Sequence, residues 1–278
     1  MTKWVEHGNG ICWEESTLLA DAGLRHGVTG KSGGVSEAPF TSLNLGLHVG
    51  DQPKAVLENR RRLCALLGYP LQKLTTAQQT HEDHVVAVGP AEIGSGAGSY
   101  ADALAHTDAI MTNLPGVPLM LCIADCVPVI VYDPVKRAVA VIHDGWRGTV
   151  QRLAAKTVFA MRLAYGSAPK DLLAYVGPSI SRAHYEVSES TAMAFAWGRP
   201  MGNAPASAMA SGPSIYGRPT GCSWKKRASG RTTSKLRRAA FLLKKGSSFP
   251  IAATAVIQDV WGPLPSFEKQ MGQIFKYD

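Results

Sequence analysis

The sequence predicts a single α/β domain with mixed β-sheet layers flanked by helices. Three observations carry that prediction. Apolar runs of strand length cluster in the middle of the chain, segments of helical period alternate with them, and 278 residues at 45% hydrophobic content suffice for a sizeable core.

The elements follow in order. "KAVLENRRRLCALLGY" (54–69) places apolar residues at helical spacing and ends on a glycine, which predicts a helix with a basic outer face. "VPLMLCIADCVPVIVYDP" and "RAVAVIHDGW" read as two strand-like runs joined by a turn at "DPVKR". Both are apolar on both faces, as strands of a buried sheet are. "GTVQRLAAKTVFAMRLAYG" (148–166) predicts one amphipathic helix closed by Gly166, and "LLAYVGPSI" returns to strand. No internal repeat is visible.

Several classes are excluded. "MTKWVEHGNGICWEES" lacks the uninterrupted apolar core and small-residue cleavage site of a secretory signal. The longest apolar run is broken by Asp125 and Pro128, too soon to span a bilayer. Five cysteines (12, 64, 122, 126 and 222) form no paired framework, so a cytoplasmic location is expected. The net charge of +8 suggests nucleic acid, but it is unevenly spread. Residues 1–196 carry 16 Lys+Arg against 18 Asp+Glu, whereas residues 197–278 carry 13 against 3. The excess belongs to the last third alone, and neither a nucleic-acid nor a membrane partner is expected.

Three residues in strand-edge settings have side chains suited to a borderline metal. They are His81 in "AQQTHEDHVVAV", Cys126 in "IADCVPV" and His143 in "VIHDGWRG". A His/Cys/His set can bind zinc and leave a fourth position open, and copper(I) accepts the same donors. Spacing alone does not decide the matter, because no two of them lie within one turn or loop. Buried core residues would show the same pattern.

Ordered blocks of sequence add a second line of argument. "RHGVTGKSGGVS", "FTSLNLGLHVGDQPKAVLENRRRL", "AQQTHEDHVVAV", "TDAIMTNLPGVPLMLCIADCVPVIVYDP", "AVAVIHDGWRG" and "VGPSISRAHYEV" follow one another over residues 20–188. Through them the chain resembles the bacterial laccase-domain family, described both as multicopper polyphenol oxidases and as purine nucleoside phosphorylases. The resemblance implies a metal site of His81, Cys126 and His143. The chain departs from the family pattern at Lys31, where arginine is usual, at Glu82, where glycine is usual, and at Asp144, where alanine is usual.

The last third departs altogether. Residues 197–278 form an atypical basic segment, distinct from the core of residues 1–196 but expected to share its domain. The codons behind "FPIAATAVIQDVWG" (249–262), read one frame over with suitable wobble bases, give "SYRRDRGDTGRMG". The same shift turns "SIYGRPTGCSWKKRASG" (214–230) into "DLWAANRLQLEEAGVR". Both hidden stretches resemble the family's C-terminal motifs, in the family's order. The hypothesis is a frame change between about residues 188 and 214. A gene sequence lacking those hidden codons would sink it.

An open metal position polarises an oxygen or lone pair and activates water. The resemblance implies phosphorolysis of purine nucleosides (adenosine, inosine, methylthioadenosine), with zinc or copper as cofactor. Adenosine deamination would be a companion activity. Asp125 is the candidate acid/base, or else a turn residue. Arg147 and Lys31 are the candidate phosphate contacts, though Arg147 also suits a helix start. Asn44 could bond a ribose hydroxyl or simply form a turn, and Trp146 could stack on the purine or fill the core. The alternative is a copper-dependent polyphenol oxidase acting on phenol and oxygen, and a further one is a metal-binding scaffold with little activity. Eight histidines without any His-x-His pair do not build a trinuclear copper cluster.

Overall fold

A computed structural model describes residues 1–181 and 184–197 and the backbone of a strand at 254–259. The chain opens with β1 (Thr2–Glu6), β2 (Cys12–Ser16), the short α1 (Thr17–Asp21) and β3 (Arg25–Thr29). After a long loop come α2 (Pro53–Leu67), β4 (Thr75–Thr76), β5 (Val85–Ala87) and β6 (Ala109–Thr112). The centre is β7 (Leu119–Ile123), β8 (Val127–Asp133) and β9 (Ala138–Asp144), followed by α3 (Trp146–Gln151) and α4 (Leu153–Tyr165). Last come β10 (Leu173–Val176), α5 (Glu189–Trp197) and β11 (Thr254–Asp259).

Two mixed sheets result, as the sequence predicts. One has the order β1-β2-β3-β11-β7-β4 and the other β10-β8-β9-β6-β5. Strands β4 and β7 are parallel, as are β5 and β6, and the remaining pairs are antiparallel. Alternation along each strand assigns its residues to layers. Leu119, Leu121 and Ile123 of β7 meet Ile130 and Tyr132 of β8 and Val139 and Val141 of β9 between the sheets. The opposite faces of β8 and β9, including Val129, Val131, Ala140 and Ile142, pack under Leu153, Ala154 and Met161 of α4. Met120 of β7 joins Trp13, Leu43 and Leu45 beneath Leu63, Cys64 and Leu67 of α2. The stack is helix, sheet, sheet, helix, so the central strands are apolar on both faces.

Three local expectations need correction. The run from 117 to 134 is two strands in different sheets, because the chain turns at Asp125 with φ +67°. The helix expected over 148–166 breaks at Arg152, whose left-handed φ of 61° separates α3 from α4. No glycine or proline announces that break. The outer face of α2 is not uniformly basic either. Arg61 and Arg62 pair with Glu58, but Arg60 turns inward and donates to the carbonyls of Leu45, Gly96 and Ala97. A buried guanidinium satisfied by carbonyl oxygens ties two loops to the helix. Among the described residues, no helix is long and apolar enough to cross a membrane. Of the window for the suspected frame change, residues 198–214 lie outside the described residues, as does the basic tail apart from the backbone of Trp197 and of β11 between β3 and β7.

Candidate metal centre

The three residues singled out in the sequence come together at one end of the sheets. His143 stands near the end of β9, opposite Pro128 of β8. Cys126 sits in the tight connection from β7 to β8, where its N–H donates to the Ala124 carbonyl. His81 occupies a bend between β4 and β5 with φ 60°. Their ligand atoms all lie within 4.8 Å of one another, and the two imidazoles meet edge to face with centroids 4.7 Å apart.

Side chains that the sequence reading passed over build this convergence. Gln79 grips the main chain of Cys122, accepting its N–H at 2.8 Å and donating to its carbonyl at 2.7 Å. That pair of bonds docks the His81 bend onto β7. Asp83 pairs with Lys156, fastening the other side of the bend to α4. Asp108, fully buried before β6, accepts the His143 ring proton at 2.7 Å and the N–H groups of Thr80, His81 and Glu82. Gly145 leaves the room in which the ligands meet. A methyl at its Cα would stand 3.2 Å from the His81 ring and 3.3 Å from the Cys126 sulfur.

The electrostatics suit a cation. Burial, then the carboxylates of Asp125, Asp144 and Asp108, push the Cys126 thiol up to about 12. Burial, followed by the neighbouring His143, lowers the pKa of His81, which favours the lone-pair form that ligates. At Asp108 burial opposes ionisation, but hydrogen bonds from His143, Glu82 and Thr80 outweigh it and hold the carboxyl low. Burial pushes Asp144 up to about 7, against a hydrogen bond from Thr149. Asp144 alternates with His143 along β9 and accepts from Thr149 on the other face, so it does not crowd the centre. Two imidazoles and a thiol meeting around the space left by Gly145 fit zinc or copper(I).

The fourth side opens into a cavity of about 280 Å³ lined by His81, Asp125, Cys126, Trp146, Arg147, Ile180 and Tyr185. Arg147 is exposed at its rim and holds its guanidinium carbon 4.4 Å from the Trp146 ring centroid. Trp146 also packs against the core beneath α4. The carbonyl of Asp125 accepts the Ile180 N–H, which brings the segment after β10 over the cavity. Ile180 and Tyr185 thereby become wall residues that the sequence reading did not single out. Lys31 and Asn44 stand outside this lining. Asn44 is buried, donates to Asp51 at 2.8 Å and accepts the Gly46 N–H at 3.0 Å, so its amide is committed to its own loop.

The family model described as "multi-copper polyphenol oxidoreductase laccase" matches residues 25–215. The chain belongs to this family. Among relatives of the laccase family, "purine nucleoside phosphorylase YlmD" of Bacillus subtilis is 46% identical over 163 residues, 59% of each chain. A "purine nucleoside phosphorylase" of Bacteroides thetaiotaomicron is 36% identical over 179 residues, 64% of this chain and 66% of that one. The match thus spans only about three-fifths of the length of the first of these relatives. The crystal structure of YlmD from Geobacillus stearothermophilus superposes with a TM-score of 0.68 at 34% identity, covering 72% of this chain and 74% of that one. A "hypothetical protein YfiH" from Bacillus licheniformis gives 0.63 at 38%, covering 69% and 70%.

Proposed function

We propose that this protein is a metal-dependent purine nucleoside phosphorylase acting on adenosine, inosine or methylthioadenosine. The observation that carries the reading is a three-ligand His/Cys/His cluster, of which His81 and Cys126 line a small-molecule cavity with an arginine at the rim. The names of the relatives supply the reaction. His81, Cys126 and His143 would hold the zinc or copper, which when bound supplies Lewis acidity toward the substrate.

The chain's own residues do the rest. In phosphorolysis a phosphate oxygen bonds to the ribose C1′ as the bond from C1′ to the base nitrogen breaks. The bonding electrons leave with the base, which takes up the proton that phosphate brings. Arg147 presents a planar fork of donors suited to holding phosphate, stacked on Trp146 so that its orientation is fixed before substrate arrives. Asp125, the carboxyl in the cavity wall, is assigned the transfer of that proton. Trp146 and Tyr185 give the cavity aromatic surface for a flat base. Lys31 lies outside the lining, and Asn44 contributes by folding the 44–51 loop.

The test is chromatography of products after incubating the purified protein and each of these nucleosides with and without phosphate. Free base that forms only with phosphate supports the reading, and inosine from adenosine would add deamination by the same site. Adenosine, inosine and methylthioadenosine all left intact under both conditions would overturn it and favour the phenol-oxidising alternative that the family description names. Within the phosphorylase reading, Arg147→Ala is expected to lower kcat/KM for phosphate by roughly 100-fold, mostly through KM. Arg147→Lys should recover part of that loss, because it keeps the charge but not the fork. Initial rates at varied phosphate check both, and equal KM values in all three proteins would remove Arg147 from the phosphate site.

A further inference from the structure

We propose that Asp108 is the positioning residue of the centre, holding the His143 imidazole and the backbone that carries His81 through one buried carboxylate. The inference rests on the metal-site reading above and deepens it. Asp108 is fully buried, and both of its oxygens accept more than one hydrogen bond. Oδ1 lies 2.7 Å from His143 Nδ1 and 3.1 Å from the His81 N–H. Oδ2 accepts the Glu82 N–H at 2.8 Å and the Thr80 N–H at 3.1 Å. The Asp108 carbonyl also accepts the His143 N–H at 2.8 Å, so the carboxylate cannot drift along β9.

Two consequences follow from the chemistry of these groups. A carboxylate only accepts, so His143 carries its proton on Nδ1 and turns the Nε2 lone pair toward the centre. Three consecutive N–H groups around one carboxylate hold the bend at Thr80, His81 and Glu82. They supply the fixed frame that His81 needs at φ 60°. One side chain thus sets the tautomer of one ligand and the backbone of another. Neither sequence spacing nor the ligand list shows this, because Asp108 lies 27 residues from one histidine and 35 from the other.

The experiment compares the full-length protein with Asp108→Asn and Asp133→Asn. Asp133 is equally buried and caps the turn after β8 through the N–H groups of Val135 and Lys136. It therefore controls for losing a buried carboxylate as such. Cobalt(II) is titrated into each, and binding is followed by its thiolate charge-transfer and d–d absorption. Asp108→Asn should weaken cobalt binding roughly 10–100-fold and alter the d–d bands. Asp133→Asn should lower the melting temperature and leave the affinity unchanged. Wild-type affinity and spectrum in Asp108→Asn would overturn the proposal, as would equal losses in both variants. A wild-type protein that takes up no cobalt would overturn the metal-site reading itself, and this inference with it. Should Asp108→Asn fail to fold, ring nitrogen-15 shifts of the metal-free wild type decide. A proton on Nδ1 of His143 is expected, and a proton on Nε2 would overturn the assignment.

Discussion

Replacing Cys126 by alanine is expected to strip the centre of metal and to lower kcat/KM for the proposed phosphorolysis by roughly 1,000-fold or more. The two histidines that remain are neutral donors, and one of them sits on an exposed bend. Without the sulfur they lack the anionic ligand that offsets a divalent charge. The fold should survive, because Cys126 is only half-buried and packs at the margin of the inter-sheet core. Truncating it should cost about 1 kcal/mol, well below the loss from emptying a core leucine site. Cys126→Ser separates chemistry from shape, since it nearly keeps the volume but lacks the soft donor. Metal content by atomic emission, steady-state kinetics and thermal melts check the set. A Cys126→Ala protein that keeps one metal per chain and its turnover would remove Cys126 from the ligand set.

Cys126 also shows what a sequence can and cannot reveal. Its residue type is legible, and so is the apolar character of the runs around it, but the turn at Asp125 that splits this sequence into β7 and β8 is not. That both faces of those runs are buried follows from the layers, because β8 and β9 lie between the inter-sheet core and α4. Convergence of His81, Cys126 and His143 was not legible from spacing. The three come from a bend, a turn and a strand, and only tertiary packing brings them within 4.8 Å. Motif blocks carried that part of the reading.

The parts that stayed hidden share a physical cause. Gln79 and Arg60 act through main-chain atoms of distant segments, and so does Asp108 toward the Thr80–Glu82 bend. Main-chain groups are the same in every residue, so such bonds leave no complementary side chain to find. Arg60 in a run of three arginines reads as a solvated face, and only its carbonyl partners show that it points inward. Asn44 differs in that its side-chain partners are local: its bonds to Asp51 and Gly46 are those of a turn former, one of the two roles its sequence offers.

Gly145→Ala separates the site from the scaffold more sharply than any ligand change. Gly145 has φ −71° and ψ 175°, an extended conformation open to any residue, so alanine adds no backbone strain there. In the unfolded chain alanine has less freedom than glycine, which favours the folded state by up to about 1 kcal/mol. The added methyl nevertheless faces the His81 ring at 3.2 Å and the Cys126 sulfur at 3.3 Å, closer than comfortable contact. His143 is held by Asp108 and cannot retreat, so His81 and Cys126 must open outward. Displacing ligands by even a few tenths of an ångström spoils a compact three-donor set, and misplacement of about 1 Å can cost on the order of 100-fold in rate. The expected result is a variant that melts at or above the wild-type temperature, yet binds metal roughly 10–100-fold more weakly and turns over correspondingly less. Calorimetry and cobalt titration on the same preparation check this. Loss of stability in parallel with loss of metal would mean that Gly145 serves the fold, whereas intact metal binding would mean that the three side chains do not meet where the methyl stands.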